Sequence, residues 1–411
     1  MIDLLHLRIP LKSEACLSLA DGSAVCDLDK YARFDGLTIR SQRGYENGDA
    51  VSFYEGHAFE TLPSSYTGIA VCLRARGHVS FPQPFLEVKF SPAKILQGHN
   101  VYGLDSVRLG FTECLHVISH TWSGLFGDLD LNNAHVLQLD ITYSARFDSP
   151  ALVHQAKKAL EDAGQGSVRR TRSYDSSVYW NMNSSHSVKK VYEKGAEVER
   201  EFLKYEKELK KSPNCERIKR VHSALDSVRE YAKNLLRFEA SIKKRFLEKY
   251  GIPTNIIDLI KREKIETDIY QKLWKTSFDP IFDSLEGLTM PSVDENKICE
   301  KIDHIYTTQS ASGRINRRKA TAVRSFYFEV KARGLDAVKQ SMAESTFYDN
   351  LNCLKNIGLS RAFIQSLGSA NANVVPLVRS ISINFEDQFP ADYQPPKLQF
   401  LNNYYDNVRA I

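Results

Sequence analysis

Apolar and polar residues alternate strictly through 134–146. Leu137, Leu139, Ile141 and Tyr143 take one side, and Gln138, Asp140, Thr142 and Ser144 take the other. A period of two predicts a strand with one buried face. The pattern returns at 235–243, where Leu236, Phe238, Ala240 and Ile242 oppose Arg237, Glu239, Ser241 and Lys243. Between these two strands the chain predicts a helix from Ser149-Pro150 to about 163 and strands at 177–181 and 187–193. A charged helical region follows over 196–233, broken near Ser212-Pro213-Asn214. The order β-α-β-β-α-β predicts an α+β chain with a ferredoxin-like core. In that topology the first and third strands are central neighbours, the fourth lies on the other side of the first, and helices cover one face. Asp140 and Glu239 would then project from adjacent strands onto the open face, with Tyr192 on the strand flanking Asp140.

Upstream, the pattern predicts strands at 4–9, 51–54, 68–73 and 85–90, a short helix at 93–97 behind Ser91-Pro92, and a longer one at 105–121. Downstream of the core, 254–288 reads as helical, with Thr254 as N-cap. A break follows at Gly287-Leu288-Thr289-Met290-Pro291, and helical segments recur near 292–308, 320–333, 343–356 and 359–368. These divisions predict a strand-rich part over 1–134 and a core over 135–289. A mainly helical part with a Pro-, Asn- and aromatic-rich tail covers 290–411.

Composition narrows the class. The 411 residues are 42% hydrophobic, enough to bury a core, and the net charge of +5 is compatible with a nucleic-acid partner. Seven cysteines without a C-x-x-C pair signal neither a disulfide framework nor a cysteine zinc site. No apolar run is long enough for a membrane span and the N-terminus lacks a signal-peptide pattern, so a cytosolic protein is expected. Glu113, His116 and His120 share a helix face, but without a third histidine they read as helix-surface residues. P-loop, G-x-S-x-G and kinase motifs are absent, and so is any His-x-His pair.

Carboxylates therefore remain as the metal ligands, and their oxygens suit Mg²⁺ or Mn²⁺ completed by waters and a scissile phosphate. Tyr192, followed by Lys194 and Glu197, reads either as a strand tyrosine beside solvated charges or as a nucleophile towards phosphate. A phenol titrates near ~10, so the second reading needs a metal on the phosphate or Lys194 close by to favour the phenolate. Basic clusters at Arg169, Arg170 and Arg172, at Lys210 and Lys211, at Lys243, Lys244 and Arg245, and at Arg314, Arg317, Arg318 and Lys319 read as solvated surface or as contacts to a DNA backbone. Interleaved Tyr174, Tyr179 and Trp180 favour DNA.

Several long blocks resemble the gene II replication initiators of filamentous bacteriophages. They are MIDLLHLRIP at the start, EVKFSPAKILQGHNVYG at 87–103, LDITYSAR at 139–146, SSVYWN…KKVYEKGAE at 176–197, LLRFEASIKKRFLEKYGIPTN at 235–255 and FDPIFDSLEG at 278–287. The chain is also similar to plasmid rolling-circle initiators. These resemblances imply an enzyme that nicks the plus strand of supercoiled replicative-form DNA at the origin, forms a 5′-phosphotyrosine link and later recircularises the displaced strand. They imply Tyr192 as nucleophile assisted by Lys194, Asp140 and Glu239 as ligands of Mg²⁺ or Mn²⁺, and Glu87 as a third ligand. Where relatives often carry Arg before the Leu/Ile-Asp pair, this chain has Gln138. The implied partners are double-stranded origin DNA, displaced single-stranded DNA, and a host helicase, polymerase and single-strand-binding protein. A homodimer on the origin and work in the host cytoplasm are also implied. Met290 is the counterpart of the start of a shorter internal product. The alternative is a non-catalytic protein that binds or melts the origin for a separate nuclease.

Overall fold

The computed structural model describes residues 1–46, 49–63, 66–77, 81–160, 170–174, 177–286, 295–309, 313, 315–359, 364, 367 and 383–396. The chain forms two compact units. One comprises 1–150, 181–277 and 383–411, and the other 151–180 and 278–382. The expected break at Gly287–Pro291, with Met290, lies outside the described residues, as do Arg169 and Arg314.

The first unit is built on an antiparallel sheet. Its strands are β1 (Ile2–Pro10), β2 (Glu60–Pro63), β3 (Gly68–Arg74), β4 (Phe85–Phe90), β5 (His135–Arg146), β6 (Ser187–Glu193) and β7 (Leu235–Lys243). They lie in the order β6-β7-β5-β1-β4-β3-β2. The chain is α+β as expected, but the pairing order is not that of a ferredoxin-like core. β7 stands between β5 and β6, and β1 takes the other flank of β5. Tyr192 is therefore one strand further from Asp140 than the expected topology would put it.

The reason lies in the connection between β6 and β7. It is a helical hairpin of matched arms, α1 (Lys194–Lys211, 18 residues) and α2 (Glu216–Ala232, 17 residues). Equal arms return the chain to where it left the sheet, so β7 pairs antiparallel with the strand just completed. Val198, Phe202, Ile218, Val221, Leu225 and Val228 form the seam between the arms. At the neck a Cβ on Gly195 would come within 2.8 Å of Lys233 Cα, so only glycine lets the two arms meet there.

The alternation observed in sequence becomes burial. Leu139, Ile141, Phe238, Ala240 and Ile242 are fully buried, as are Leu5, Leu7, Ile9, Leu86 and Val88 on the neighbouring strands. Trp274, on the helix Ile269–Glu286, closes over this face, and its indole N–H donates to the Phe238 carbonyl oxygen at 3.1 Å. The opposite face is polar but not open. Asp140, Thr142 and Arg237 are buried there as well.

The second unit contains helices Glu295–Tyr306, Arg318–Arg333, Leu335–Ser341 and Glu344–Asn356. Ile302, Val323, Phe326, Leu351 and Leu354 fill its core. A two-stranded hairpin pairs Thr308–Gln309 with Ile315–Asn316. Among the described residues no helix is long and apolar enough to cross a membrane.

Candidate functional site

Register decides which side chains share the polar face. Tyr192 pairs with Arg237 and Lys190 with Glu239. On the next strand Arg237 pairs with Ser144, Glu239 with Thr142 and Ser241 with Asp140. Directly paired residues of antiparallel strands point to the same side. Tyr192, Glu239 and Asp140 thus emerge on one face of three adjacent strands, although β7 rather than β5 neighbours the tyrosine.

Tyr192 is only 5% exposed. Lys190 Nζ sits 4.2 Å from its ring centroid and Lys194 Nζ 5.8 Å away. Burial raises the phenol's pKa well above its ordinary value. Glu197, Glu239 and Asp3 push the same way, and Arg237 pulls it down. The resting tyrosine is therefore a neutral phenol.

Lys194, the first residue of α1, is completely buried and points its ammonium at Asn100 Oδ1 (2.9 Å) and at the Glu197 carboxylate. Burial, helped by Arg237, brings its pKa down to about 8 in spite of Glu197. Glu197 behaves in the opposite way. Burial works against its charge, but Lys194, Arg237 and Lys94 outweigh it and hold the carboxyl at about 2.

Asp140 accepts a hydrogen bond from Gln138 Nε2 at 2.9 Å. Burial first, and then the neighbouring Glu239, raise its pKa to about 8. Glu239 is raised too, by burial against the attraction of Lys190, whose ammonium lies 3.6 Å from its carboxylate. Two carboxyls that each resist ionisation beside the other suit a divalent cation between them. Mg²⁺ needs only one or two protein carboxylates. Among the described residues no group of three His, Cys, Asp or Glu side chains is arranged to hold a metal.

Glu87 is on the same face but belongs to a different cluster. Its carboxylate is engaged by His6 Nε2 (2.8 Å), Arg74 (2.8 and 3.0 Å) and Lys89 (3.1 Å). Burial opposes its charge, and Arg74 and Lys89 still hold its pKa low. In this structure its partners are these three basic side chains. His116 and His120 lie one turn apart on the helix Val107–Thr121, their rings tilted at 43° with centroids 3.9 Å apart.

Four residues of the site were not singled out in the sequence. Arg237 is buried and donates from its two terminal nitrogens to the carbonyl oxygens of Asn100 and Val101. Asn100 receives Lys194 on its amide oxygen and donates from its nitrogen to Asp3 Oδ1 at 2.7 Å. Asp3 sits at a register shift in β1, between Ile2 and Leu4. Lys190 bridges Tyr192 and Glu239. The only available signal was positional. Lys190 lies two residues before Tyr192 on the same side of the strand, and Arg237 lies two before Glu239.

The basic clusters separate. Lys243 donates to the Ser184 carbonyl oxygen at 2.7 Å and Lys244 pairs with Glu248 at 3.6 Å. Arg170 and Arg172 lie on the strand Arg170–Tyr174. Arg317, Arg318 and Lys319 are exposed where the second unit's hairpin passes into the helix Arg318–Arg333.

Residues 1–262 match the family model of the N-terminal part of the phage gene II replication-associated protein, and 310–399 that of its C-terminal part. The chain is 34% identical to the replication-associated gene II protein of Salmonella phage IKe, over the full length of both. It is 31% identical to the protein of the same description in Enterobacteria phage M13, covering 97% of this chain and all of the relative. The counterpart in Enterobacteria phage f1 matches to the same extent.

Proposed function

The chain belongs to the family of gene II replication-associated proteins, and on that premise we propose that it initiates rolling-circle replication by nicking DNA through Tyr192. The observation that carries this reading is the register that gathers Tyr192, Glu239 and Asp140 on one face of three adjacent strands. The Tyr192 hydroxyl oxygen attacks the phosphorus of the scissile phosphodiester. The P–O3′ bond breaks, the 3′-oxygen leaves with a proton, and the 5′-phosphate remains on the tyrosine. That linkage keeps the bond energy, so attack by a 3′-hydroxyl in the reverse sense rejoins a strand without ATP.

Lys194, with its pKa down at about 8, can exchange a proton near neutrality and carries positive charge towards the phosphoryl oxygens. Asp140 and Glu239 would hold Mg²⁺ or Mn²⁺, which when bound supplies charge stabilisation at the phosphate. The substrate is the double-stranded origin and then the displaced single strand. Host helicase, polymerase and single-strand-binding protein act around it in the host cytoplasm.

Supercoiled plasmid carrying the phage origin, incubated with pure protein and Mg²⁺, tests the reading. Wild type should give open or relaxed circles and a covalent protein–DNA adduct, and Tyr192→Phe should bind without either product. Normal nicking by that variant would remove Tyr192 from the role. A mobility shift alone from wild type would mean a non-catalytic origin binder.

A further inference from the structure

The loop that reaches Lys194 through Asn100 also lines a cavity. The cavity has a volume of about 350 Å³ and lies wholly within the first unit. Tyr66, His99 and Tyr102 line it, together with Asp392, Tyr393 and Gln394 from the segment that returns after the second unit. The Tyr393 ring stands edge-on to Tyr102 at 5.3 Å and is backed by Phe389, stacked at 4.4 Å. Its hydroxyl oxygen is buried without a hydrogen-bond partner among the described residues. A native structure keeps such an orphan only for a reason, and an absent ligand is one.

The chemistry of the walls restricts that ligand. Among the described residues no lysine or arginine lines the cavity. Burial, with Lys194, Arg237 and Lys94 nearby, drives the His99 pKa down to about 3, so His99 is neutral. Asp392 adds a carboxylate. A flat, uncharged ring that donates hydrogen bonds finds aromatic side chains and an acceptor in these walls. Pockets from about 300 Å³ upward accept ligands of this size.

We propose that the cavity receives an unpaired nucleobase bearing an exocyclic amine, extruded from the strand to be cut. The base stacks on the tyrosine rings, with its amine on Asp392 and a ring or carbonyl acceptor on the Tyr393 hydroxyl. This rests on the reading of a DNA strand as substrate. It adds that the protein selects a base beside the site, through a loop that touches both.

Fluorescence anisotropy with the full chain and short oligo-dC, oligo-dT and abasic oligonucleotides of equal length tests it. Wild type should bind oligo-dC roughly tenfold more tightly than the other two, since one paired base edge is worth about that factor. Asp392→Asn should abolish the preference for dC over dT. Tyr393→Phe should weaken oligo-dC binding while its thermal stability stays equal or rises. Equal affinity of wild type for oligo-dC and the abasic strand would overturn the proposal. Unchanged oligo-dC binding by Tyr393→Phe would do the same, and so would loss of the preference on adding inorganic phosphate. Adduct formation through Tyr192 is a separate readout. Its absence in wild type would defeat the nicking mechanism and leave the base preference standing.

Discussion

Replacing Glu197 by glutamine removes a charge and keeps an oxygen to accept from the Lys194 ammonium. The effect on stability therefore reports the charge rather than the hydrogen bond. The Glu197 side chain is 26% exposed, and its carboxyl is held at about 2 against an ordinary 4.5 by Lys194, Arg237 and Lys94, which outweigh its burial. At about 1.4 kcal/mol per tenfold in the proton equilibrium, that difference is worth about 3 kcal/mol of folding stability. Because the folded value is the lower one, the contribution is complete above about pH 4.5. It fades as the pH falls through the folded value of about 2. Urea denaturation should show Glu197→Gln about 3 kcal/mol less stable than wild type near pH 7, with the gap closing towards about pH 2. Lys194, whose pKa Glu197 raises, should become still easier to neutralise in the variant. Adduct formation should slow accordingly. Equal stability near neutral pH, or an undiminished gap in acid, would refute the view that a cluster of cations leans on this carboxylate.

Three further outcomes follow from the same structure. In wild type Mg²⁺ should raise the melting temperature, and in Asp140→Asn it should not, as differential scanning fluorimetry would show. Trp274→Ala removes a buried indole that bonds Phe238 and packs edge-on to Tyr143 at 5.5 Å, so chemical denaturation should show a loss of about 3–5 kcal/mol. Alanine at exposed Arg317, Arg318 or Lys319 should leave the fold intact and reduce the salt slope of DNA binding by about one for each phosphate no longer neutralised.

Alternation made the faces of β5 and β7 legible, because a period of two assigns each residue to core or polar side without reference to its neighbours. It said nothing about which strand lies next to which. The ferredoxin-like expectation supplied that order, and the matched arms of the 194–232 hairpin overruled it by returning the chain beside β6. Tyr192, Glu239 and Asp140 still share a face, because parity survives a change of neighbour when every pair is antiparallel. Short elements with small patterns were missed. The helix Leu28–Asp35 has an Asp27 side-chain cap and a left-handed Gly36 at its end, but only eight residues between them. Asp3 and Asn100 were invisible for another reason. Their roles come from a register shift in β1 and a loop held by Arg237, and neither has a periodic signature.

The charges around Tyr192 are graded rather than merely balanced. Towards β5 burial raises the carboxyls of Asp140 and Glu239, and Glu239 raises that of Asp140 further. Towards α1 the cations Lys194, Arg237 and Lys94 outweigh burial and hold the Glu197 carboxyl at about 2, while burial, helped by Arg237, brings Lys194 down to about 8. A cation lowers its energy at the first end and a phosphate oxygen at the second. The Tyr192 phenol sits between them, raised by Glu197 and Glu239 and lowered by Arg237. In the resting protein burial, with these acids behind it, keeps the proton on the phenol. Were Asp140 and Glu239 to hold a divalent cation, its charge would offset that of Glu239, one of the groups that raise the Tyr192 pKa. In the proposed reaction metal and nucleophile would then be coupled through the same face of the sheet, and loss of either carboxylate should depress attack by Tyr192 as well as metal binding.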